Sequence, residues 1–111
     1  MEISEERHDG IVVVTPKGRI DSNTSASLER KLLALLEPAG RGVVIDFAAV
    51  DYISSAGLRV VLVLAKRLRG GKAALVLCQL NSLIQEVFTM SGFDKVLNIV
   101  PTRAEALGQL A

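Results

Sequence analysis

Asp51-Tyr52-Ile53-Ser54-Ser55-Ala56-Gly57-Leu58-Arg59 follows the apolar run Val43-Val44-Ile45-Asp46-Phe47 and leads into a long stretch rich in leucine and valine. The apolar run is short and almost unbroken, the pattern of a strand buried on both faces. Asp51 to Gly57 reads as a connection, a helix starts near it, and Gly70-Gly71 is a natural stop for that helix. Strand, connection and helix in series are the building unit of α/β sheets, in which binding and reaction sites gather at strand ends.

The pattern extends in both directions. Upstream, Ile11-Val12-Val13-Val14-Thr15 is a β-branched strand between Asp9-Gly10 and Pro16-Lys17-Gly18, with Ile3 in a hairpin partner before it. Gly18-Arg19-Ile20-Asp21 leaves that strand. Asp21, Ser22, Asn23 and Thr24 are N-cap candidates for a helix carrying Leu28, Leu32, Leu35 and Leu36, and Pro38-Ala39-Gly40 stops it. Downstream, Ala73 to Cys78 reads as a strand, and Leu83, Ile84, Val87, Phe88 and Met90 as an amphipathic helix ending at Ser91-Gly92. Val96 to Val100 reads as a last strand. Thr102 to Leu110 reads as a last helix, capped by Thr102 with Glu105 three residues on. An opening hairpin followed by alternating strands and helices predicts one α/β domain over 1–111 with a mixed sheet.

Composition narrows the function. The 111 residues are half hydrophobic with few aromatics, so the core is aliphatic. Lys plus Arg is 13 against 12 for Asp plus Glu, a balance unlike that of a nucleic-acid binder, and it offers anionic lipid little attraction. The N-terminus is polar and no apolar run approaches the roughly 20 residues of a membrane span. These features predict a soluble cytoplasmic protein with no nucleic-acid or membrane partner. Cys78 is the sole cysteine and His8 the sole histidine, so no metal site is expected, and Cys78 reads as a small buried hydrophobe.

Catalytic readings find little support. Around Ser55 the position two before is Ile53, which fails the Gly-x-Ser-x-Gly elbow. No Gly-x-x-x-x-Gly-Lys-Ser/Thr phosphate loop exists, and no cofactor is assigned. Asp46 and Asp51 read better as a strand-end carboxylate and a turn or cap residue than as an acid pair. Ser54 and Ser55 are different. Two hydroxyls beside Ala56-Gly57 at a helix start can cap the helix or accept a phosphate, and a phosphate there adds about −1.5 to −2 charges. In the helix, Leu58, Val61, Leu62, Ala65 and Leu68 form one stripe. Val60, Val63 and Leu64 then fall beside Arg59, Lys66 and Arg67, either as a partner surface or as part of a wide buried stripe.

Taken in order, these segments resemble the STAS domain proteins of the stand-alone kind, bacterial anti-sigma factor antagonists. Gly18-Arg19-Ile20-Asp21 is similar to the family's Gly-x-(Ile/Leu)-Asp turn. Val44-Ile45-Asp46-Phe47 through Ile53-Ser54-Ser55-Ala56-Gly57-Leu58 is similar to its strand and phosphoserine motif, and Val87 to Val96 to its later helix and (Ser/Thr)-Gly-(Leu/Phe) end. The resemblance implies a mixed sheet with helices packed mainly on one face, and a partner switch that is not an enzyme. The unphosphorylated form would bind an anti-sigma factor serine kinase of histidine-kinase-like ATPase fold and release the sigma factor. Phosphorylation at Ser55 would reverse binding, and a PP2C-type serine phosphatase would restore it. Ser54 stands where many members have Asp, and Ala56 where they have Ser or Thr. The resemblance implies Asp21 as a partner contact; with Ser22, Ser54, Ala56, Gly57, Arg59 and Val63 it makes up the expected partner surface. Related readings are an accessory subunit of a lipid-transport ABC system and a partner-switching module with a non-transcriptional output.

Overall fold

The computed structural model describes residues 1–35, 42–71 and 73–110. The expected helix stop at Pro38-Ala39-Gly40, together with Leu36 and Lys72, lies outside the described residues. The elements are β1 (Glu2–His8), β2 (Ile11–Ile20), α1 (Ser25–Leu35), β3 (Gly42–Asp46), β4 (Val50–Ile53), α2 (Ser55–Gly70), β5 (Ala74–Cys78), α3 (Ser82–Met90), a 3₁₀ turn (Phe93–Lys95), β6 (Asn98–Val100) and α4 (Arg103–Leu110).

One mixed sheet carries the order β1-β2-β3-β5-β6. β1 and β2 form the expected antiparallel hairpin, and every other pairing is parallel. The first half of β2, β3 and β5 read as nearly unbroken apolar runs because both of their faces are covered. Val12, Val14, Val43, Ile45, Leu75 and Leu77 point into a core shared with α1, α2 and α3. Their alternates Val13, Val44, Val76 and Cys78 point the other way, into a smaller cluster closed by Ala106 of α4. Period-two alternation thus continues inside each run, with an apolar residue on either side.

Two expectations need correction near the site. The second strand does not end at Thr15. It runs through Pro16 and Lys17 to Ile20 and changes neighbour on the way, from β3 over Ile11–Val14 to β4 over Gly18–Ile20. Pro16 is tolerated because it lies between the residues of β2 that pair with β3 and those that pair with β4, where that side of the strand has no ladder partner to receive an N–H. The change of neighbour falls between Val14 and Gly18, and a bulge follows between Gly18 and Arg19 within the pairing to β4, where Gly18 takes φ +102, a conformation open to glycine without strain. Second, the segment read as a plain connection from Asp51 opens inside the strand β4, four residues that pair with β2 alone. So short a strand, buried at Val50 and Ile53 with exposed Asp51 and half-buried Tyr52 between them, carries little signal of its own.

Smaller differences have packing causes. Leu83 and Met90 of α3 are exposed, and the helix buries Ile84 and Phe88, whose ring meets Phe47 edge-on at 6.2 Å. The last strand starts at Asn98 and not at Val96, because the 3₁₀ turn consumes Phe93–Lys95 and leaves Val96 exposed. In α2 the wide-stripe reading holds for two of three residues: Val60 and Leu64 are buried and Val63 is half-buried. The helix packs on α1 as well as on the sheet, so its covered arc is broad. The last helix is capped as expected, with the Glu105 N–H donating to Thr102 Oγ1 at 3.1 Å.

Candidate functional site

The parallel pairing of Ile20 with Ile53 sets the loop after β2 beside the start of α2. The link continues one residue on, where the Ser54 N–H donates to the Ile20 carbonyl at 2.8 Å. Gly57, in the first turn of α2, is what allows so close an approach. A Cβ built there falls 2.6 Å from Ile20 Cγ2 and 2.8 Å from Ile53 Cγ1, both on buried side chains. Glycine at this position is therefore a packing requirement.

The two serines divide their work. Ser54 is the N-cap, with extended backbone and a half-buried side chain that accepts a hydrogen bond from the Gly57 N–H at 3.3 Å. Ser55 is the first helical residue and is exposed. No hydrogen bond engages its hydroxyl among the described residues. Ser55, Arg59 and Val63 follow at intervals of four, one ridge along α2 in which the first two are exposed and the third half-buried. Ala56 is half-buried beside Ser55, and Gly57 is buried.

Across the strand ends, Asp21 organises its own loop. Asp21 Oδ1 accepts from the Asn23 and Thr24 N–H groups, and the Thr24 hydroxyl accepts from the Asp21 N–H and donates to the Arg19 carbonyl. These bonds, the Asn23 N–H first, hold the Asp21 carboxyl below the ordinary range, with Arg19 adding a favourable charge at 3.7 Å. Asp21 is thus a fixed anion, and Ser22 beside it is exposed. Of the four N-cap candidates, Thr24 occupies the helix start, its carbonyl accepting the Leu28 N–H, while Asp21 closes the preceding turn.

The structure therefore brings Asp21, Ser22, Ser54, Ser55, Ala56 and Gly57 to one end of the sheet. Arg59 lies one turn along α2, and Val63 about 12 Å from Ser55 along the helix axis. Two features went unforeseen. The Arg19 guanidinium stacks over the Tyr52 ring at 4.4 Å, which depends on the bulge register. Asp46, only 2% exposed, is held by the Ala48 N–H, by Gln79 Nε2 and by Arg103 Nε at 2.9 Å. Arg103 reaches on to Glu6 and Thr15, tying α4 to the sheet. No group of three or more His, Cys, Asp or Glu side chains is placed to hold a metal ion among the described residues. No helix among them is long and apolar enough to cross a membrane.

A family model for the STAS domain matches residues 2–106. The chain belongs to the STAS domain family. BtrV of Bordetella bronchiseptica, a relative that carries the name of an anti-sigma factor antagonist, is 40% identical over 106 residues, covering 96% of this chain and 91% of that one. The crystal structure of an anti-sigma factor antagonist from Mycobacterium paratuberculosis superposes with a TM-score of 0.91 at 28% identity, covering 98% and 92% of the two chains. The Bacillus cell fate determinant SpoIIAA in its phosphorylated form shares the STAS fold, with a TM-score of 0.75 at 19% identity and coverage of 99% and 100%.

Proposed function

We propose that this STAS domain is an anti-sigma factor antagonist that works as a phosphorylation-controlled partner switch. Its unmodified form binds an anti-sigma factor serine kinase of histidine-kinase-like ATPase fold and frees the sigma factor. The kinase transfers the γ-phosphoryl group of ATP to Ser55 Oγ, leaving ADP and a proton, and the complex separates. A PP2C-type phosphatase hydrolyses the ester and returns the binding form.

The observation that carries this reading is the division between the serines. Ser54 is occupied as the cap, and Ser55 presents an exposed hydroxyl at the start of α2. A phosphate on Ser55 would meet the positive end of the helix dipole, an interaction worth about 0.3–1 kcal/mol, so the fold has no reason to open. The effect falls on the complex. A dianion enclosed without a partner costs several kcal/mol, and each 1.4 kcal/mol weakens binding tenfold. The fixed negative charge of Asp21 on the neighbouring loop adds to the anionic character of the modified surface. Asp21, Ser22, Ser54, Ala56, Gly57, Arg59 and Val63 are assigned to the surface the kinase covers.

Incubation with the cognate kinase and ATP, followed by intact mass and peptide mapping, tests the assignment. One added phosphate on Ser55 is expected, with none on Ser55→Ala. A phosphate found on Ser54 would move the acceptor, and no phosphate on either serine would remove the mechanism.

A further inference from the structure

The C-terminal half of α2 borders a second surface that the Ser55 switch leaves unexplained. Two adjoining hollows of about 230 and 200 Å³ lie between this half-helix and the segment from Val96 to Asn98, and they share Ala65, Arg69, Val96 and Leu97. The floor is apolar: Leu62 and Ala65 are half-buried, Leu97 is nearly buried, and Val96 is 59% exposed. Lys66 and Arg69 stand on the helix bank, and exposed Lys95 precedes Val96 on the other. None of these cations takes part in an ion pair among the described residues. Across its 16 residues α2 has Arg59, Lys66, Arg67 and Arg69 and no Asp or Glu. Asp94, half-buried in the 3₁₀ turn, is the one acidic residue on the opposite bank.

We propose that this groove docks an acidic amphipathic segment of a protein partner, apolar side chains on the Leu62–Val96 floor and carboxylates against Lys66, Arg69 and Lys95. The chemistry favours protein over nucleic acid and lipid. A chain with net charge +1 lacks the broad basic surface nucleic acid requires, and the groove has no aromatic platform for bases. It is also too small a hydrophobic feature to insert into a bilayer surface, which calls for an extended apolar face. Ala65 lies about 15 Å from Ser55 along the helix, far enough for this contact to operate whatever the state of that serine. The proposal goes beyond the switch and does not depend on it.

The test uses the full-length protein, ¹⁵N-labelled, titrated with four probes. These are a 16-residue amphipathic Leu/Glu peptide, its Leu/Lys counterpart, a 20-nucleotide single-stranded DNA, and vesicles of mixed phosphatidylcholine and phosphatidylglycerol. The Leu/Glu peptide is expected to shift the amides of Leu62, Lys66, Arg69, Val96 and Leu97 and to leave those of Ser22 and Ser55 in place. Its affinity by fluorescence anisotropy should fall at least tenfold with Arg69→Glu and with Val96→Asp, both exposed positions, and stay the same with Ser55→Asp. A Lys66→Glu, Arg69→Glu double variant should gain binding of the Leu/Lys peptide, which loss of folding could not produce. Absence of binding, shifts confined to another surface, equal or tighter binding of Leu/Lys peptide, DNA or vesicles by the unaltered protein, or indifference to the variants would overturn the proposal.

Discussion

Ser54 and Ser55 are adjacent, yet their hydroxyls face different physics, and alanine variants separate them. Ser54→Ala removes the cap from the Gly57 N–H and should cost about 1 kcal/mol. In thermal unfolding this lowers Tm by roughly 4 °C for a domain of this size. Ser55→Ala removes an exposed hydroxyl without a structural bond and should fall within about 0.5 kcal/mol of the parent. Gly57→Ala forces a methyl group against Ile20 and Ile53, and urea unfolding should show a loss of about 1–3 kcal/mol. Cys78 supplies a pH test. Burial, then the charge of Asp46, raises its thiol pKa from 9.0 to about 11, with Arg103 opposing. The folded state therefore holds this proton more tightly than the unfolded chain does. Its share of stability is complete below pH 9.0 and is lost as pH rises from there through about 11. A thiol reagent at pH 8 should find no reactive group until denaturant is added, and then one.

The elements show why some of the architecture was readable in advance and some was not. Signals that act within a few residues came through: the Asp9-Gly10 hairpin, the Gly70-Gly71 stop, the Thr102 cap and the buried β3 run. The extension of β2 past Pro16 and the short β4 did not, because each exists through the other's pairing across more than 30 residues. The same limit hid the junction of Asp46 with Arg103, 57 residues apart. This junction makes a definite prediction. Arg103→Ala would leave a nearly buried carboxylate without its cation, and removal of one partner of a buried pair costs about 3–5 kcal/mol. Gln79 and the Ala48 N–H still serve Asp46, so equilibrium unfolding should place the loss near the lower end.

At the scale of the whole molecule, the sheet gathers the residues assigned to the proposed switch at one end of the domain. Local sequence marked Ser54-Ser55-Ala56-Gly57 as a helix start, but not which hydroxyl was engaged; that required the position of the Gly57 N–H. The chain also gave no local sign that Asp21 shares this end of the sheet, since the Ile20–Ile53 pairing brings it there. Val60 and Leu64, set apart from the core stripe by spacing, proved to be core because α1 covers the side of α2 that a helix lying on a sheet alone would expose. The central claim is that charge on Ser55 dismantles a complex while leaving the domain folded. Calorimetric titration of the cognate anti-sigma factor kinase with unmodified protein and with protein phosphorylated at Ser55, each first shown to unfold at the same temperature, tests it directly. The account predicts tight binding by the first and a loss of at least a hundredfold for the second. Equal affinity of the two forms would contradict it.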